Sequence, residues 1–462
     1  MANFEIVKTF LSLLFLPSFL FSQISMNVDS VGLWWDHNLP TEVSHSKYNE
    51  VWGFVQNGRE YGVIGSKAGT YIIDVSNPSL PRKAAYIPGA YEYAINRDYH
   101  DYNGYLYMVC DQGYSTLQIA DLRYLPDSVH LVYDSDDLFS NCHNIFIDSY
   151  TGHLYCCDVH KQDTVDLDLE IYDISTSYIP QRLLTYNIAD VAAFHDIYVV
   201  RDTAWGNNGR TGLFIYDFSD MSDPRVMSSL LDYPDKGFNH AGYATPDKKY
   251  YYFTDETKGM DIKAVDCSNL ADPVVVSLFN SGNNDEGVVA HNCIVHNNKL
   301  YVSYYHEGLQ VYSLADPAKP VKIADYLTYN LFYKPDPDKP ARKDFTGYRG
   351  AWGVYPFLPS ELVLVSDREK GLFILRLDTR VMPLRTIFPN PFHNEWDIYY
   401  PAANIERIDV YEINGRKVQE NLHFDDYDKT SHVRMDGKLD AGVYIIKVQG
   451  KYETFSIKAV KW

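Results

Sequence analysis

The strongest constraint on the fold is a phrase that recurs seven times: an apolar run, an acidic or polar residue, and a turn rich in Ser, Asn, Asp and Pro. The clearest copies lie at residues 71–78, 214–219 and 265–268. The residue that ends the apolar run in successive copies is Asp74, Asp121, Asp173, Asp217, Asp266, Ser313 or Arg376. These residues are 44 to 63 positions apart, a spacing typical of four-stranded propeller blades and too long for leucine-rich or ankyrin repeats.

Each repeat contains four short runs with strand character, which we name a to d in chain order. In the sixth repeat they cover residues 290–295, 299–305, 309–314 and 321–327, with turn-forming pairs such as Asn297-Asn298 between them. The repeats lack the i, i+3, i+4, i+7 apolar stripe of an amphipathic helix, and Tyr, Val and Ile crowd the strand positions. The sequence therefore predicts an all-β fold, a seven-bladed β-propeller over residues 23–379.

The seventh repeat has no fourth strand after residues 371–377, whereas residues 28–35 form an unassigned apolar run ahead of the first repeat. Pairing these two segments would complete the last blade and leave no open sheet edge. We therefore predict that the N-terminal strand closes the ring.

The first 22 residues have the organisation of a secretory signal peptide. They carry one lysine, Lys8, followed by an apolar segment from Phe10 and the small residue Ser22. The apolar segment is too short to span a bilayer. We predict that residues 1–22 direct export of the chain.

The sequence changes character after a linker at residues 380–386. Residues 387–462 contain Pro389-Asn390-Pro391, a hairpin signal at Asn414-Gly415, an apolar strand at 441–448, and Lys461 near the end. The segment is predicted to be a small β-sandwich, and the series of motifs resembles the C-terminal sorting domain of the type IX secretion system. That resemblance implies recognition by the type IX machinery, passage through the periplasm, and a secreted or outer-membrane surface location.

Charge and cysteine content exclude several classes of function. A formal charge of −20 and a pI near 5.1 argue against a nucleic-acid partner, which requires a basic surface. The six cysteines have no zinc-ligand spacing. Most are predicted to be buried thiols, with one disulfide within the group Cys110, Cys142, Cys156 and Cys157 as the alternative.

Polar residues recur where strand a begins and where strand b ends. The first set is Trp52, Asn96, His143, His195, His240, His291 and Trp352. Fifteen positions after members of that set come Asp111, Asp158, Asp255, His306 and Asp367, with Glu307 next to His306. A constant interval implies a constant hairpin register, so both sets should lie on one face at the mouth of the central channel. His100 does not fit this register and is predicted to lie in a loop.

Two interpretations of these residues remain open. A histidine can form a structural pair with the aspartate of its own blade, as His240 would with Asp255, and the recurrence of the pattern favours this. Alternatively, several blades supply imidazoles and carboxylates to one metal or polar ligand. The aspartates of the recurring phrase, such as Asp74 and Asp217, are predicted to support turns. Long connections at residues 160–170 and 331–348 are candidates for specificity.

A second resemblance covers about residues 26–378. The segments Glu50-Val51-Trp52-Gly53-Phe54, Ala290-His291-Asn292, Ala351-Trp352-Gly353-Val354-Tyr355 and Val365-Ser366-Asp367 resemble the choice-of-anchor B family, whose repeats are of the LVIVD type. This chain has Asn96-Arg97-Asp98 where the family pattern has Trp-Arg-Asp. The resemblance implies a propeller held at a cell surface and implies no reaction.

Together these features predict an exported binding module for a glycan or protein ligand. The 40 tyrosines would suit such contacts. No catalytic motif is present, and no catalytic residue or cofactor is assigned. The alternative is a metal-assisted hydrolase in which the histidines and aspartates hold a divalent ion that activates water.

Overall fold

The computed structural model describes residues 25–39, 46–161, 166–188, 191–283, 287–329, 332–333, 342–343, 348–378, 387–388, 395–398, 405–427, 430–434, 439–450 and 454–461. The predicted signal peptide (1–22) and linker (380–386) lie outside these ranges. All regular elements in the described ranges are β-strands. No helix there has the length and apolar character needed to cross a membrane.

The first part of the chain forms successive antiparallel sheets. Their strands are β1 (Ser25–Met26) and β2 (Val28–Trp34); β3 (Tyr48–Gln56), β4 (Arg59–Ser66), β5 (Gly69–Asp74) and β6 (Arg82–Pro88); β7 (Arg97–Tyr102), β8 (Tyr105–Cys110), β9 (Leu117–Asp121) and β10 (His130–Ser135); β11 (Asn141–Asp148), β12 (His153–His160), β13 (Leu167–Asp173) and β14 (Gln181–Tyr186); β15 (Asp196–Val200), β16 (Thr203–Asn208), β17 (Gly212–Asp217) and β18 (Arg225–Leu230).

The succession continues to residue 377. These strands are β19 (Asn239–Ala244), β20 (Tyr250–Asp255), β21 (Ile262–Asp266) and β22 (Val274–Phe279); β23 (Cys293–His296), β24 (Lys299–Ser303), β25 (Leu309–Ser313) and β26 (Val321–Tyr326); the short pair β27 (Phe332–Tyr333) and β28 (Arg342–Lys343); and β29 (Ala351–Tyr355), β30 (Leu362–Asp367) and β31 (Gly371–Leu377). Each group of four pairs in chain order, and β1 adds to the edge of β26. Repeated four-stranded meanders of this kind indicate a β-propeller.

The first strand of each sheet lies at the centre of the molecule. Strands β3, β7, β11, β15, β19, β23 and β29 contact one another in that order, and β29 also contacts β3. We call them the inner strands. Apolar clusters fill the space between neighbouring sheets; for example, Ile73 and Val75 pack against Leu364 and Ile374. The inner strands therefore surround a common axis.

The N-terminal strand pairs with the last strand of the repeat region, as predicted. Val28 lies opposite Leu377 and Leu33 opposite Phe373 in an antiparallel ladder between β2 and β31. A Cβ atom at Gly32 would lie 1.9 Å from the carbonyl oxygen of Pro78. Glycine at this position therefore lets β2 pass closely over the first sheet.

Four aspartates of the recurring phrase support turns, as predicted. Asp74, Asp173, Asp217 and Asp266 each accept a hydrogen bond from the backbone N–H of the serine two positions later, at 2.8 to 3.0 Å. Hydrogen bonds of this kind close an Asx turn at the end of a strand. The recurring phrase is thus a strand terminator.

His100 lies within β7 and not in a loop. The loop prediction is wrong because the sequence alignment compared only the first residue of each strand a, whereas His100 lies further along its strand.

All six cysteines are free and buried. The prediction of buried thiols is confirmed, and the alternative of a disulfide is wrong.

The C-terminal region forms two further four-stranded sheets. Their strands are β32 (Ile387–Phe388), β33 (Glu395–Ile398), β34 (Ile405–Glu412), β35 (Lys417–Gln419), β36 (Phe424–Tyr427), β37 (Thr430–Arg434), β38 (Gly442–Gly450) and β39 (Thr454–Lys461). The sheet orders are β32-β33-β37-β36 and β35-β34-β38-β39. One apolar core, which includes Trp396, Val410 and Ile446, draws on both sheets. The predicted hairpin at Asn414-Gly415 joins β34 to β35, and Gly415 has a φ of 88°.

Deleting residues 23–36 should destabilise the sheets before residue 378, because β31 would lose its partner and expose an unpaired edge. We expect a lower melting temperature and association detectable by light scattering. The control is the chain without residues 1–22. Unchanged melting together with a monomeric scattering profile would contradict the closing role of β2.

Candidate functional site

Four histidines stand side by side where the inner strands begin. The ring centroids of His143 and His195 are 4.3 Å apart, those of His195 and His240 are 4.2 Å apart, and those of His240 and His291 are 4.3 Å apart. The indole of Trp352 continues the series, 4.4 Å from His291. We call the four imidazoles the histidine row. The structure therefore brings together residues that the sequence placed on four different repeats.

Hydrogen bonds between neighbouring inner strands orient these rings. Nδ1 of His195 lies 3.2 Å from the carbonyl oxygen of His240, and Nδ1 of His291 lies 2.6 Å from that of Trp352. A carbonyl oxygen only accepts, so both Nδ1 atoms carry the proton. The other ring nitrogen, Nε2, is then the acceptor in each neutral ring.

The first histidine of the row has a different partner. Nδ1 of His143 lies 2.8 Å from a carboxylate oxygen of Asp111, and the side-chain amide of Asn96 contacts both residues. Asp111 comes from the preceding sheet, so the histidine–aspartate pair joins two sheets. Burial acts to lower the pKa of His143, but the hydrogen bond and negative charge of Asp111 outweigh it and raise the pKa.

The other three histidines are neutral at physiological pH. Burial lowers the pKa of His195 and His240 well below the usual value, with a further contribution from the neighbouring imidazoles. Burial also lowers the pKa of His291 to about 3. Their unprotonated nitrogens are therefore available as acceptors or ligands.

A carboxylate that the sequence analysis did not select faces two of these histidines. Glu256 Oε2 is 3.9 Å from Nε2 of His240, and one ligand atom from each of His240, Glu256 and His291 lies within 4.8 Å of the other two. The hydroxyl of Tyr305 donates a hydrogen bond to Glu256. The recurring 15-residue interval predicted Asp255, one position earlier, because the interval locates the end of strand b. The interval does not indicate which side chain at that end faces the channel.

The predicted pair of His240 with Asp255 is not present. Asp255 forms an ion pair of 2.7 Å with Lys263, and both side chains are fully buried. The same carboxylate accepts hydrogen bonds from the Tyr233 hydroxyl and the backbone N–H of Gly237. Asp255 therefore stabilises its own sheet, because the hairpin register brings Lys263 of the next strand to it.

The remaining predicted residues serve local structure. Asp367 accepts the backbone N–H groups of Glu369 and Lys370 in a turn, and Asp158 lies 3.5 Å from the imidazole of His160. His306 is buried with its ring 5.0 Å from that of Tyr329, and Glu307 accepts a hydrogen bond from the amide of Asn283. None of these contacts joins the histidine row. Most of the predicted specificity loop at 331–348 and residues 162–165 of the other lie outside the described residues.

Below the histidine row the inner strands enclose a chamber of about 610 Å³. Its upper wall carries the carboxyl groups of Glu50, Asp98 and Asp196 and the amides of Asn144 and Asn292; we call the three carboxyl groups the acidic belt. Asn292 donates to Glu50 at 2.8 Å, and a Cβ atom at Gly353 would lie 1.8 Å from Glu50 Oε1. Glycine at 353 therefore leaves room for this carboxyl group.

Each carboxyl group of the belt is anchored by the backbone. Glu50 accepts from the N–H of Val51 at 2.9 Å, Asp98 from that of Ile145 at 2.7 Å, and Asp196 from that of Ile197 at 2.7 Å. Burial, together with repulsion by neighbouring carboxylates, raises the pKa of Glu50 to about 8 and that of Asp196 to about 8. Burial raises the pKa of Asp98 to about 7. Near neutral pH the belt therefore contains protonated carboxyl groups, which can donate as well as accept hydrogen bonds.

Aromatic side chains line the next level of the chamber. The ring of Trp52 lies 4.2 Å from His100 and 5.0 Å from Tyr355, and Tyr198 lies 4.2 Å from Tyr243. We call Trp52, His100, Phe146, Tyr198 and Tyr243 the aromatic belt. Trp52 was predicted to match Trp352 but lies deeper in the channel, because Trp52 comes four residues after Tyr48, where the β3–β4 ladder begins, whereas Trp352 comes directly after Ala351, where the β29–β30 ladder begins.

The chamber combines flat apolar surfaces with fixed hydrogen-bonding groups. Its volume falls in the range of small-molecule sites, which have mostly apolar walls and a few polar groups that fix orientation. Aromatic faces with carboxyl and amide groups above them suit a small polyhydroxylated ligand.

Comparison with protein families identifies the C-terminal region. Residues 386–461 match the family model described as a secretion system C-terminal sorting domain. The chain is therefore exported by the type IX secretion system, with which its C-terminal region engages, and the protein is secreted or displayed at the cell surface. A comparison with curated proteins finds no match.

Solved structures support the propeller fold. The WD40 repeats of RRP9 align with a TM-score of 0.52 and 9% identity, covering 76% of this chain and 97% of that one. U3-55K aligns with a TM-score of 0.52 and 8% identity, covering 76% and 98%. At these identities the likeness shows the fold alone, a β-propeller.

A bacterial structure is also similar. It is PorZ, described as an essential bacterial surface component of the type-IX secretion system of Porphyromonas gingivalis. PorZ aligns with a TM-score of 0.45 and 12% identity; the match covers 89% of this chain and only 59% of PorZ.

Replacing Asp255 by Ala should reduce the free energy of unfolding by about 3–5 kcal/mol, because it leaves the ammonium group of Lys263 buried without its partner. His240→Ala keeps that ion pair and should cost less. Chemical denaturation of both variants gives the comparison. A loss for Asp255→Ala no larger than that for His240→Ala would contradict the stabilising role of the buried ion pair.

The acidic belt should make the protein less stable as the pH rises from 6.5 to 9. The pKa values of these carboxyl groups are higher in the folded state than in the unfolded chain, so the folded state binds more protons in this pH range. The free energy of unfolding therefore falls as the pH rises, until the carboxyl groups ionise in the folded state as well. Each contributes a slope of up to about 1.4 kcal/mol per pH unit. The buried neutral histidines His195, His240 and His291 have the opposite effect on stability, but only below about pH 6.5, where the histidines of the unfolded chain become protonated.

The measurement is the free energy of unfolding across that pH range for the native chain and for Asp196→Asn. The substituted chain should show a shallower slope. A stability that is constant or rises toward pH 9 in the native chain would contradict the protonated belt.

Proposed function

We propose that this chain is an exported binding module whose chamber takes a small polyhydroxylated ligand of the size of a mono- or disaccharide. The observation that carries the proposal is the chamber itself, in which the acidic belt lies above the aromatic belt. Sugar rings present hydroxyl groups at their edges and C–H groups on their faces. The belts offer complementary surfaces to both, through hydrogen bonds and aromatic contact.

The proposed architecture has seven blades, with β2 as the outer strand of the last one. In this proposal residues 1–22 are a signal peptide, 23–379 the propeller, 380–386 a linker and 387–462 a sorting domain built as a sandwich of its two sheets. The resemblance to the choice-of-anchor B family and its LVIVD repeats supports surface anchoring of the propeller. Closure of the inner strands around one axis is the structural support for the blade count.

Binding is tested with the full chain by a glycan array, followed by calorimetric titration of the tightest mono- or disaccharide. Tyr198→Ala removes an aromatic wall and Asp196→Asn alters one hydrogen-bonding group, so each should weaken binding about 10-fold, which corresponds to about 1.4 kcal/mol. Tyr114→Ala is the matched control, since this tyrosine is 78% exposed and does not line the chamber.

The result that would overturn the glycan proposal is a protein that binds no glycan. Equal loss of affinity in Tyr114→Ala and Tyr198→Ala would also overturn it, because binding would then lie on the outer surface. The melting temperature of each variant establishes that it is folded.

The sorting role predicts the fate of a truncated chain. A chain that ends at Thr379 retains every strand of the first domain but lacks the two C-terminal sheets. In a host that has the type IX machinery it should fold and stay in the periplasm, where fractionation and immunoblotting would detect it. Its efficient appearance on the surface or in the medium would contradict the proposed sorting role.

A second candidate function is metal-assisted hydrolysis. The observation that favours it is the approach of Glu256 to His240 and His291 at the channel mouth, since a divalent ion held there could activate water. The test is hydrolysis of chromogenic ester and phosphate-ester substrates by the full chain supplied with Zn²⁺. Turnover that Glu256→Gln abolishes would favour the hydrolase, and absence of turnover would leave the binding module.

A further inference from the structure

We propose that His240, His291 and Glu256 form a site for one divalent transition-metal ion, with the ligand chemistry of Zn²⁺, at the mouth of the channel. The site lies in the histidine row and is separate from the belts of the chamber. It therefore does not depend on which ligand the chamber takes.

The donor set favours zinc over the alkaline-earth ions. Two imidazole nitrogens and one carboxylate are a known ligand set for Zn²⁺. Calcium and magnesium prefer sites made wholly of oxygen ligands. The three residues come from β19, the turn after β20, and the segment before β23, so the ion would connect two neighbouring sheets.

Hydrogen bonds already hold His291 in the orientation of a ligand. Its Nδ1–H donates to the carbonyl oxygen of Trp352 at 2.6 Å, and this leaves the lone pair of Nε2 for an ion. Metal-binding histidines commonly direct their second nitrogen to such an acceptor, which fixes the tautomer and the ring plane.

His240 is a buried imidazole whose Nδ1 makes no hydrogen bond of good geometry. The residue is 5% exposed, and its Nδ1 has no hydrogen-bond partner among the described residues. Its Nε2 faces the carboxylate of Glu256 at 3.9 Å, which is longer than a hydrogen bond. A buried polar atom without a good partner is costly, and an ion between Nε2 and the carboxylate would supply an interaction for both groups.

Glu256 is held toward the histidines by the hydroxyl of Tyr305. The ring of Tyr305 in turn packs 4.9 Å from that of His291. Tyr305 is therefore a positioning residue for the carboxylate. Outer contacts of this kind commonly contribute about 10- to 100-fold to metal affinity.

The three ligand atoms need only a small movement to bind an ion. They lie within 4.8 Å of one another, whereas tetrahedral Zn²⁺ with bonds of about 2.1 Å places its ligands roughly 3.4 Å apart. Side-chain rotations that move the ligand atoms by roughly 1 Å would close the difference. Three protein ligands leave a fourth coordination position for water or a substrate.

His153 provides a control histidine outside the row. Its Nδ1 lies 2.8 Å from a carboxylate oxygen of Asp202, and it does not belong to the group of three ligands. Removing it takes away one imidazole and leaves all three proposed ligands and their contacts in place.

The experiment uses the full chain, stripped with a chelator and titrated with Zn²⁺ by calorimetry, with bound metal counted by mass spectrometry. We expect one ion per chain. Glu256→Gln and His291→Ala should weaken binding at least 10-fold, and Tyr305→Phe should weaken it about 10-fold. His153→Ala should change the affinity less than about 3-fold, which is the effect of a distant residue outside the site.

Two results would overturn the site: a native chain that binds less than one Zn²⁺, or a Glu256→Gln chain that is folded and binds Zn²⁺ as tightly as the native chain. Glu256→Gln is nearly isosteric, so it tests the site even if His291→Ala does not fold. Glycan binding by the chamber would be unaffected by either result.

Discussion

The antiparallel pairing of β2 with β31 is the contact on which the rest of the structure depends. Through this pairing β2, which precedes the first repeat, becomes the fourth strand of the last sheet. Without it, the two ends of the succession would be joined by packing between β29 and β3 and by a few hydrogen bonds, such as those from the backbone N–H groups of Lys47 and Tyr48 to the carbonyl oxygen of Arg368. Because the hydrogen bonds of a ladder form together, closure makes the sheets a single cooperative unit. The pairing of β2 with β31 therefore acts together with the contacts between inner strands to hold these strands around one axis.

The candidate site follows from this closure. No single sheet contains more than one member of the histidine row or of the acidic belt; the groups meet because the inner strands converge on one axis. Their chemistry also depends on convergence. The carboxyl groups of Glu50 and Asp196 keep their protons at neutral pH because the surrounding strands exclude water and bring other carboxylates near. An open arrangement of sheets would expose these groups to water and return each pKa toward its usual value.

The sequence predicted the parts of the fold that repetition makes visible. The recurring phrase located the strands and their turns, and the missing strand of the last repeat identified β2 as its partner. The same register placed His143, His195, His240 and His291 side by side. Type IX export was also predicted, since motifs such as Pro389-Asn390-Pro391 belong to a short segment whose order is characteristic.

The parts that were missed depend on contacts that no repeat encodes. Asp255 pairs with Lys263 because a lysine lies on the adjacent strand in that one sheet. Glu256 follows directly after β20, and its carboxylate faces His240 and His291 instead. Trp52 lies further along β3 than Trp352 does along β29, and at that deeper level it meets His100. A period of two residues fixes which face a strand residue occupies, so an alignment that is wrong by an odd number of residues assigns a side chain to the wrong face.

Hydrogen–deuterium exchange of the β31 amides, Gly371–Leu377, tests the central claim most directly. If β2 closes the ring, amides of β31 that bond to β2 should exchange as slowly as those in the interior strand β17, through global unfolding. Exchange of those amides at the rate of an unpaired edge strand, while β17 remains protected, would contradict closure and with it the account of the chamber.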